Sequence, residues 1–161
     1  MPEKLKNYID GEWVEVTNTS HIPVVNPATC EELAHTPISD SAEVHRAVTA
    51  AHEAFLEWRQ TPVVKRARYL HAYKDVLEEH AEELAELVVK ENGKTKDEAR
   101  GEVLRGIESV EFAFSVPSLM TGFKLEDIAS GIDETAERQP IGVFLGITPF
   151  NFPMMVPLWF F

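Results

Sequence analysis

The chain has 161 residues, 44% of them hydrophobic, one cysteine and a formal net charge of −12. This length and apolar share exclude a wholly disordered polypeptide and allow one domain with a real core, while the acidic balance excludes a nucleic-acid backbone or an anionic membrane surface as partner. A lone thiol excludes an internal disulfide framework, and the polar start MPEKLKNYID lacks the apolar stretch of a secretory signal, so a soluble cytoplasmic protein is expected.

Residues 7–16, NYIDGEWVEV, read as two short strands around an Asp10-Gly11 hairpin turn. HIPVVNPATCEEL, residues 21–33, reads as a loop punctuated by Pro23 and Pro27. Cys30 lies in it with no histidine adjacent in sequence, and reads as a small loop side chain rather than a nucleophile. Asp40 is placed to open the first long helix with Glu43 in the reciprocal capping position. Val44, Ala47, Val48, Ala51, Phe55 and Trp58 then recur with the 3.6-residue period of a buried stripe. Thr61-Pro62 predicts a cap and a first-turn proline for a second helix, with Val63, Ala67, Leu70, Tyr73 and Leu77 on one face. A third helical pattern, with Ala81, Leu84, Leu87 and Val88, stops at Asn92-Gly93. Thr95 and Glu98 form another capping box, ahead of an apolar face made by Ala99, Val103, Ile107, Val110 and Phe114.

Residues 78–102 carry nine acidic and four basic side chains, the composition of a solvated helix face rather than of a docking surface. The six histidines are scattered, and no metal-ligand spacing appears among them. Beyond Pro117 two extended arms, 124–128 and 134–141, are expected to form a hairpin that projects and pairs with another subunit.

Residues 141–161, IGVFLGITPFNFPMMVPLWFF, hold no charge. The run has the ~20-residue length of a membrane span, but Pro149, Pro153 and Pro157 each remove a helix donor at a cost of roughly 3 kcal/mol in a helix interior. It reads better as a strand over 143–147, buried on both faces as in a parallel sheet, followed by the first turn of a helix at Phe152-Pro153. A strand running into a helix N-terminus is where open α/β sheets place ligands. Such a strand needs partners that the rest of the chain does not offer, so the chain is expected to be the front part of a longer protein. Neither a Gly-rich phosphate loop nor a nucleophile-elbow motif occurs. The residues alone leave two readings open: part of an α/β enzyme, or a free-standing helical interaction module that docks a partner through its apolar tail.

The pieces NYIDGEWV, VVNPAT, ENGKT, RQPIGV and above all GITPFNFPMMVPLW resemble the aldehyde dehydrogenase superfamily. GEVLRGIESVEFA and the block from Phe150 to Trp159 look like its coenzyme A-dependent methylmalonate-semialdehyde dehydrogenase branch. The resemblance implies an α/β fold of that type, divided into 1–123 (N-terminal part of the NAD-binding domain), 124–141 (oligomerisation hairpin) and 142–161 (first Rossmann-like strand and the start of the next helix). It implies that the Asn151 amide helps form an oxyanion hole, where local sequence alone would make Asn151 a helix cap. It also implies that Thr148 and Phe150 line the nicotinamide side of NAD. The nucleophilic cysteine and the remaining NAD ligands of such enzymes fall outside these residues, and Cys30 does not align with the nucleophile. The implied activity is oxidation of methylmalonate or malonate semialdehyde to propanoyl-CoA or acetyl-CoA with loss of carbon dioxide. NAD would be the cofactor, coenzyme A the co-substrate, and the assembly a homodimer or homotetramer; the 161 residues alone are expected to be inactive.

Overall fold

The computed structural model describes residues 2–16 and 20–160. The chain opens with strands β1 (Glu3–Lys4), β2 (Asn7–Ile9), β3 (Glu12–Val14), β4 (His21–Val25) and β5 (Glu32–Pro37). Four helices follow: α1 (Ser41–Trp58), α2 (Val63–Glu79), α3 (Ala81–Asn92) and α4 (Lys96–Phe112). A short 3₁₀ turn and the one-turn helix α5 (Val116–Leu119) lead into β6 (Phe123–Ala129) and β7 (Ile132–Ala136), and a 3₁₀ turn, Pro157–Phe160, lies near the end. No helix among the described residues is long and apolar enough to cross a membrane.

β2 and β3 pair antiparallel around the Asp10-Gly11 turn, as expected. The segment 21–33 departs from expectation. It is not all loop: β4 and the start of β5 lie within it, and β5 pairs antiparallel with β4 and parallel with β1 in the order β1-β5-β4. Pro23 suggests a break, yet it sits on an edge strand, where a missing ladder donor is tolerated. The true turn is narrower. Asn26 Oδ1 accepts the Ala28 N–H at 2.9 Å and the Asn26 carbonyl accepts the Cys30 N–H at 2.8 Å, closing the β4-β5 connection.

Local capping chemistry sets the helix starts. Asp40 accepts the Ala42 and Glu43 N–H groups while Glu43 returns a bond to the Asp40 N–H, and Thr95 and Glu98 do the same for α4. The second helix starts one residue later than Thr61-Pro62 suggests: Pro62 occupies the cap position and no side chain caps it. α3 ends at Gly93 in the left-handed conformation, φ 81°.

The core lies between α2, α3 and α4. Leu77, Ala85, Val88, Ala99, Val103, Ile107 and Val110 form it, and Leu158 enters from the terminal segment. α1 stands apart: of its stripe, Val44 is 55% and Val48 49% exposed. These residues border a groove shared with Asn7–Ile9 and residues 143–145 instead of being buried.

An ion pair ties α3 to α4. Arg100 donates to both carboxylate oxygens of Glu82 at 2.7 Å, the two-pronged geometry that makes arginine–carboxylate pairs strong. These bonds hold the Glu82 carboxyl below the usual carboxylate range. Because the folded-state value is lowered, the stabilisation is present above the unfolded value and disappears as pH falls through the folded one. Thermal melts of wild type and Glu82→Gln should therefore differ by a constant amount above pH ~5 and converge as the solution is acidified below it. A difference that stays the same down to strongly acid pH would show that the pair contributes nothing through charge.

Residues 137–149 carry neither helix nor strand, so the strand expected at 143–147 is absent. A parallel strand is held by ladder bonds and buried faces, and no described strand lies alongside these residues: Ile141, Leu145 and Ile147 are each more than 80% exposed. Residues 150–156 form turns rather than a helix start. The arms expected at 124–128 and 134–141 are β6 and β7, which among the described strands pair only with each other. β7 ends at Ala136, short of the expected 141.

Candidate functional site

Three separate sequence pieces meet around Asn151. At the end of α3, Gly93 adopts its positive φ with Pro27 packed above it; a Cβ on residue 93 would lie 2.9 Å from Pro27 Cγ. Only glycine satisfies both the left-handed backbone and this close approach. The reversal at Gly93 aims its two neighbours at one target. Asn92 Nδ2 donates to the Phe150 carbonyl at 2.7 Å, and Lys94 Nζ donates to the Asn151 carbonyl at 2.6 Å.

The same Lys94 ammonium pairs with Glu102 in a short, charge-assisted hydrogen bond. The Glu102 side chain is 0% exposed and that of Lys94 18%. The other Glu102 oxygen accepts the Met154 N–H at 2.8 Å and the Met155 N–H at 3.2 Å. A buried carboxylate is tolerated only when paired and hydrogen-bonded, and Glu102 meets both conditions. One helical turn on, Gly106 lets the chain settle directly on α4. A Cβ there would stand 2.9 Å from Leu158 Cδ1, 3.0 Å from Met154 Sδ and 3.3 Å from Met155 Cα. Lys94 lies 4.2 Å from the Phe152 ring centre and the Arg105 guanidinium 5.3 Å from it, so two cations approach the one ring.

These contacts settle whether Asn151 caps a helix. A cap at 151 would serve the N–H groups at 153 and 154. Residue 153 is proline, and the Met154 N–H is taken by Glu102. Asn151 is exposed, and its side-chain amide has no hydrogen-bond partner among the described residues; only its backbone is held. Thr148 is half-buried and Phe150 is 58% exposed, so the three residues singled out from sequence lie on one short stretch with their side chains available.

The aldehyde dehydrogenase family profile matches residues 13–161. The chain belongs to the aldehyde dehydrogenase family. Among curated relatives, malonate-semialdehyde dehydrogenase 2 of Geobacillus kaustophilus is 58% identical over 159 residues, 99% of this chain and 33% of that protein. The malonate-semialdehyde dehydrogenase of Halalkalibacterium halodurans is likewise 58% identical, over 99% of this chain and 33% of its own length. The chain thus spans about a third of the length of the curated relatives it matches. Among solved structures, methylmalonate-semialdehyde dehydrogenase of Oceanimonas doudoroffii superposes with a TM-score of 0.92 at 44% identity, covering 98% of this chain and 32% of that one. A proposed methylmalonate-semialdehyde dehydrogenase of Sinorhizobium meliloti, solved with NAD, gives 0.93 at 38% identity, covering 99% and 32%. The aldehyde dehydrogenase fold is therefore that of this chain as well, with mixed helix and strand.

The sequence points to Asn151, Thr148 and Phe150 in this aldehyde dehydrogenase segment, but to no role for Asn92, Lys94, Glu102 or Arg105. Arg105 borders a groove of about 520 Å³ with Glu108, Ser109, Phe112, Met155 and Trp159. Its Nε donates to the Gly101 carbonyl at 3.2 Å, and it makes no ion pair among the described residues. Cys30 is exposed in the β4-β5 turn, with φ 60°. No cluster of three or more metal-ligating side chains occurs among the described residues.

Proposed function

We infer that this chain is the N-terminal third of a cytoplasmic, NAD-dependent, coenzyme A-acylating semialdehyde dehydrogenase, in which Asn151 supplies an oxyanion donor. The observation that carries the site assignment is the free amide of Asn151 on a turn whose backbone is fixed at three points. Attack of a thiolate on an aldehyde carbon builds negative charge on the former carbonyl oxygen, and a preorganised N–H donor there lowers the barrier. An asparagine amide donates without titrating, so the donor is present at every working pH. Rigid backbone support under a free side chain suits that role, whereas a capping asparagine would have its side chain engaged.

The thiolate comes from the part of the enzyme beyond these residues; Cys30, exposed in its strand-connecting turn, is not a candidate. Thr148, half-buried, and Phe150, exposed, would line the nicotinamide side of NAD. Bound NAD would supply the acceptor for the hydride on the aldehyde carbon. The acyl group then passes to the thiol of coenzyme A. With malonate semialdehyde the carboxylate leaves as carbon dioxide, and the balance is one acetyl-CoA, one NADH and one CO₂ per aldehyde.

A semialdehyde of this class carries a carboxylate, which needs a cation. Lys94 is already neutralised by Glu102, so the guanidinium of Arg105, unpaired beside Phe152 and Met155, is the group we assign to it. Residues 1–123 would form the front of the NAD-binding domain and 142–161 its first strand and following helix, completed by pairing with the rest of the enzyme. Residues 124–141 would be an arm that joins a second subunit in a dimer or tetramer. A lone two-stranded hairpin is marginal in water, and Phe123, Leu125, Ile128 and Ile132 on this one are about half exposed.

The test is turnover by the complete protein. With NAD and coenzyme A it should convert malonate or methylmalonate semialdehyde to the acyl-CoA. Arg105→Leu should lower kcat/KM for these substrates by about tenfold to a hundredfold, the worth of a charged hydrogen bond, while leaving the uncharged aldehyde propanal nearly unaffected. Equal losses on both substrates would remove Arg105 from carboxylate recognition, and no acyl-CoA product would remove the proposed reaction.

A further inference from the structure

The geometry points to Glu102 as a positioning residue for Asn151, acting through Lys94 and through the backbone of Met154 and Met155. The inference rests on the oxyanion reading of Asn151 but concerns a residue that never reaches the substrate. Glu102 sits in the middle of α4, a rigid element, and is the most completely buried ionisable side chain described. Its two oxygens hold the turn at two places. One accepts the N–H groups of Met154 and Met155, three and four residues after Asn151. The other fixes the Lys94 ammonium, which donates to the carbonyl of Asn151 itself. The turn that presents the amide is therefore clamped to a single carboxylate. Gly106, on the same helix face, removes the Cβ that would hold the turn away from it.

A carboxylate alone suits this arrangement. It must accept two backbone N–H bonds and an ammonium at once, and a glutamine has only one accepting oxygen for these donors. Replacing Glu102 by glutamine keeps the volume and one acceptor but turns a donor toward Lys94. The ammonium is then released from its place, and the Asn151 carbonyl loses a defined partner. A displacement of ~1 Å at a catalytic group costs on the order of a hundredfold in rate.

In the complete enzyme, Glu102→Gln is expected to lower kcat by at least about tenfold while the KM values for aldehyde and NAD stay within about threefold, the pattern of misplacement rather than lost binding. Glu102→Asp, which keeps the charge on a shorter arm, should recover part of that loss. The deciding measurement combines Glu102→Gln with Asn151→Ala. If Glu102 works through Asn151, its substitution changes kcat little once the amide is gone. Should Glu102→Gln fail to fold, the paired variant Lys94→Met/Glu102→Gln, which buries no unmatched charge, gives the same comparison. Unchanged kcat in the folded Glu102 variant, or an equal loss with and without the Asn151 amide, overturns the positioning role while leaving the oxyanion reading intact. A wild-type kcat for Asn151→Ala alone overturns the oxyanion reading, and the positioning role with it.

Discussion

Asn151→Ala in the complete enzyme is expected to reduce kcat by about 10²–10³, the usual cost of removing one oxyanion-hole donor, with little change in the affinity for NAD. The direction follows from where the amide acts. The aldehyde oxygen carries little charge in the ground state and much more as the thiolate adds, so the bond strengthens along the reaction and its loss appears in kcat rather than in substrate binding. The structure adds a reason to expect a clean result. The side chain of Asn151 supports no other described residue, and the turn is held by Asn92, Lys94 and Glu102 through backbone atoms that alanine retains. The variant should therefore melt close to wild type, and a loss of turnover would belong to chemistry and not to folding. Steady-state kinetics with a separate NAD titration decides it: an unchanged turnover number, or a weakened NAD affinity that accounts for the whole loss, would leave Asn151 without the role assigned to it.

What could be read from sequence and what could not divides by range. The capping boxes at Asp40-Glu43 and Thr95-Glu98, the Gly93 stop and the Asp10-Gly11 turn are formed within four residues, and each is found where local chemistry places it. The block around Asn151 was visible by resemblance rather than by physics, since its own residues suit a helix cap equally well. The strand expected at 143–147 failed for a different reason. A buried parallel strand is a property of a sheet, and an apolar run without a paired edge has no local force to keep it extended.

Glu102 shows the same limit at a single residue. Within residues 78–102 it counts as one more acid on a solvated surface, yet its partners Met154 and Met155 lie 52 and 53 residues away. A signal was present. Glu102 falls three residues after Ala99 and four before Gly106, inside the arc of α4 that Ala99, Val103 and Val110 turn toward the core. An acid inside an apolar arc is a stronger marker than an acid within an acidic run. Arg105, by contrast, stands outside that arc and carried no such mark; only the position of Phe152 beneath it gives it meaning.

Lys94→Met should be the most destabilising single change at this junction, by about 3–5 kcal/mol, the cost of leaving one member of a buried ion pair without its partner. Three effects compete. Methionine matches the length of the lysine stem and keeps its apolar contacts, including the approach to the Phe152 ring, so little packing is lost. The Met154 and Met155 N–H groups still bond Glu102 and retain part of its solvation, which pulls the value toward the lower end of the range. Against these stands a carboxylate at 0% exposure with no counter-charge, and its desolvation outweighs both. In the complete enzyme the melting temperature should fall with stability, by several degrees. Adding Glu102→Gln to Lys94→Met should restore most of that loss, because a neutral carbonyl can still accept the two N–H bonds and no charge remains to be matched. The two variants thus separate stability from positioning: the pair regains its melting temperature, while the Asn151 carbonyl still lacks its ammonium and turnover stays low. A Lys94→Met protein that melts within a degree or two of wild type would mean that the Glu102 carboxylate is reached by water, and the junction would then owe its rigidity to apolar packing around Gly106 alone.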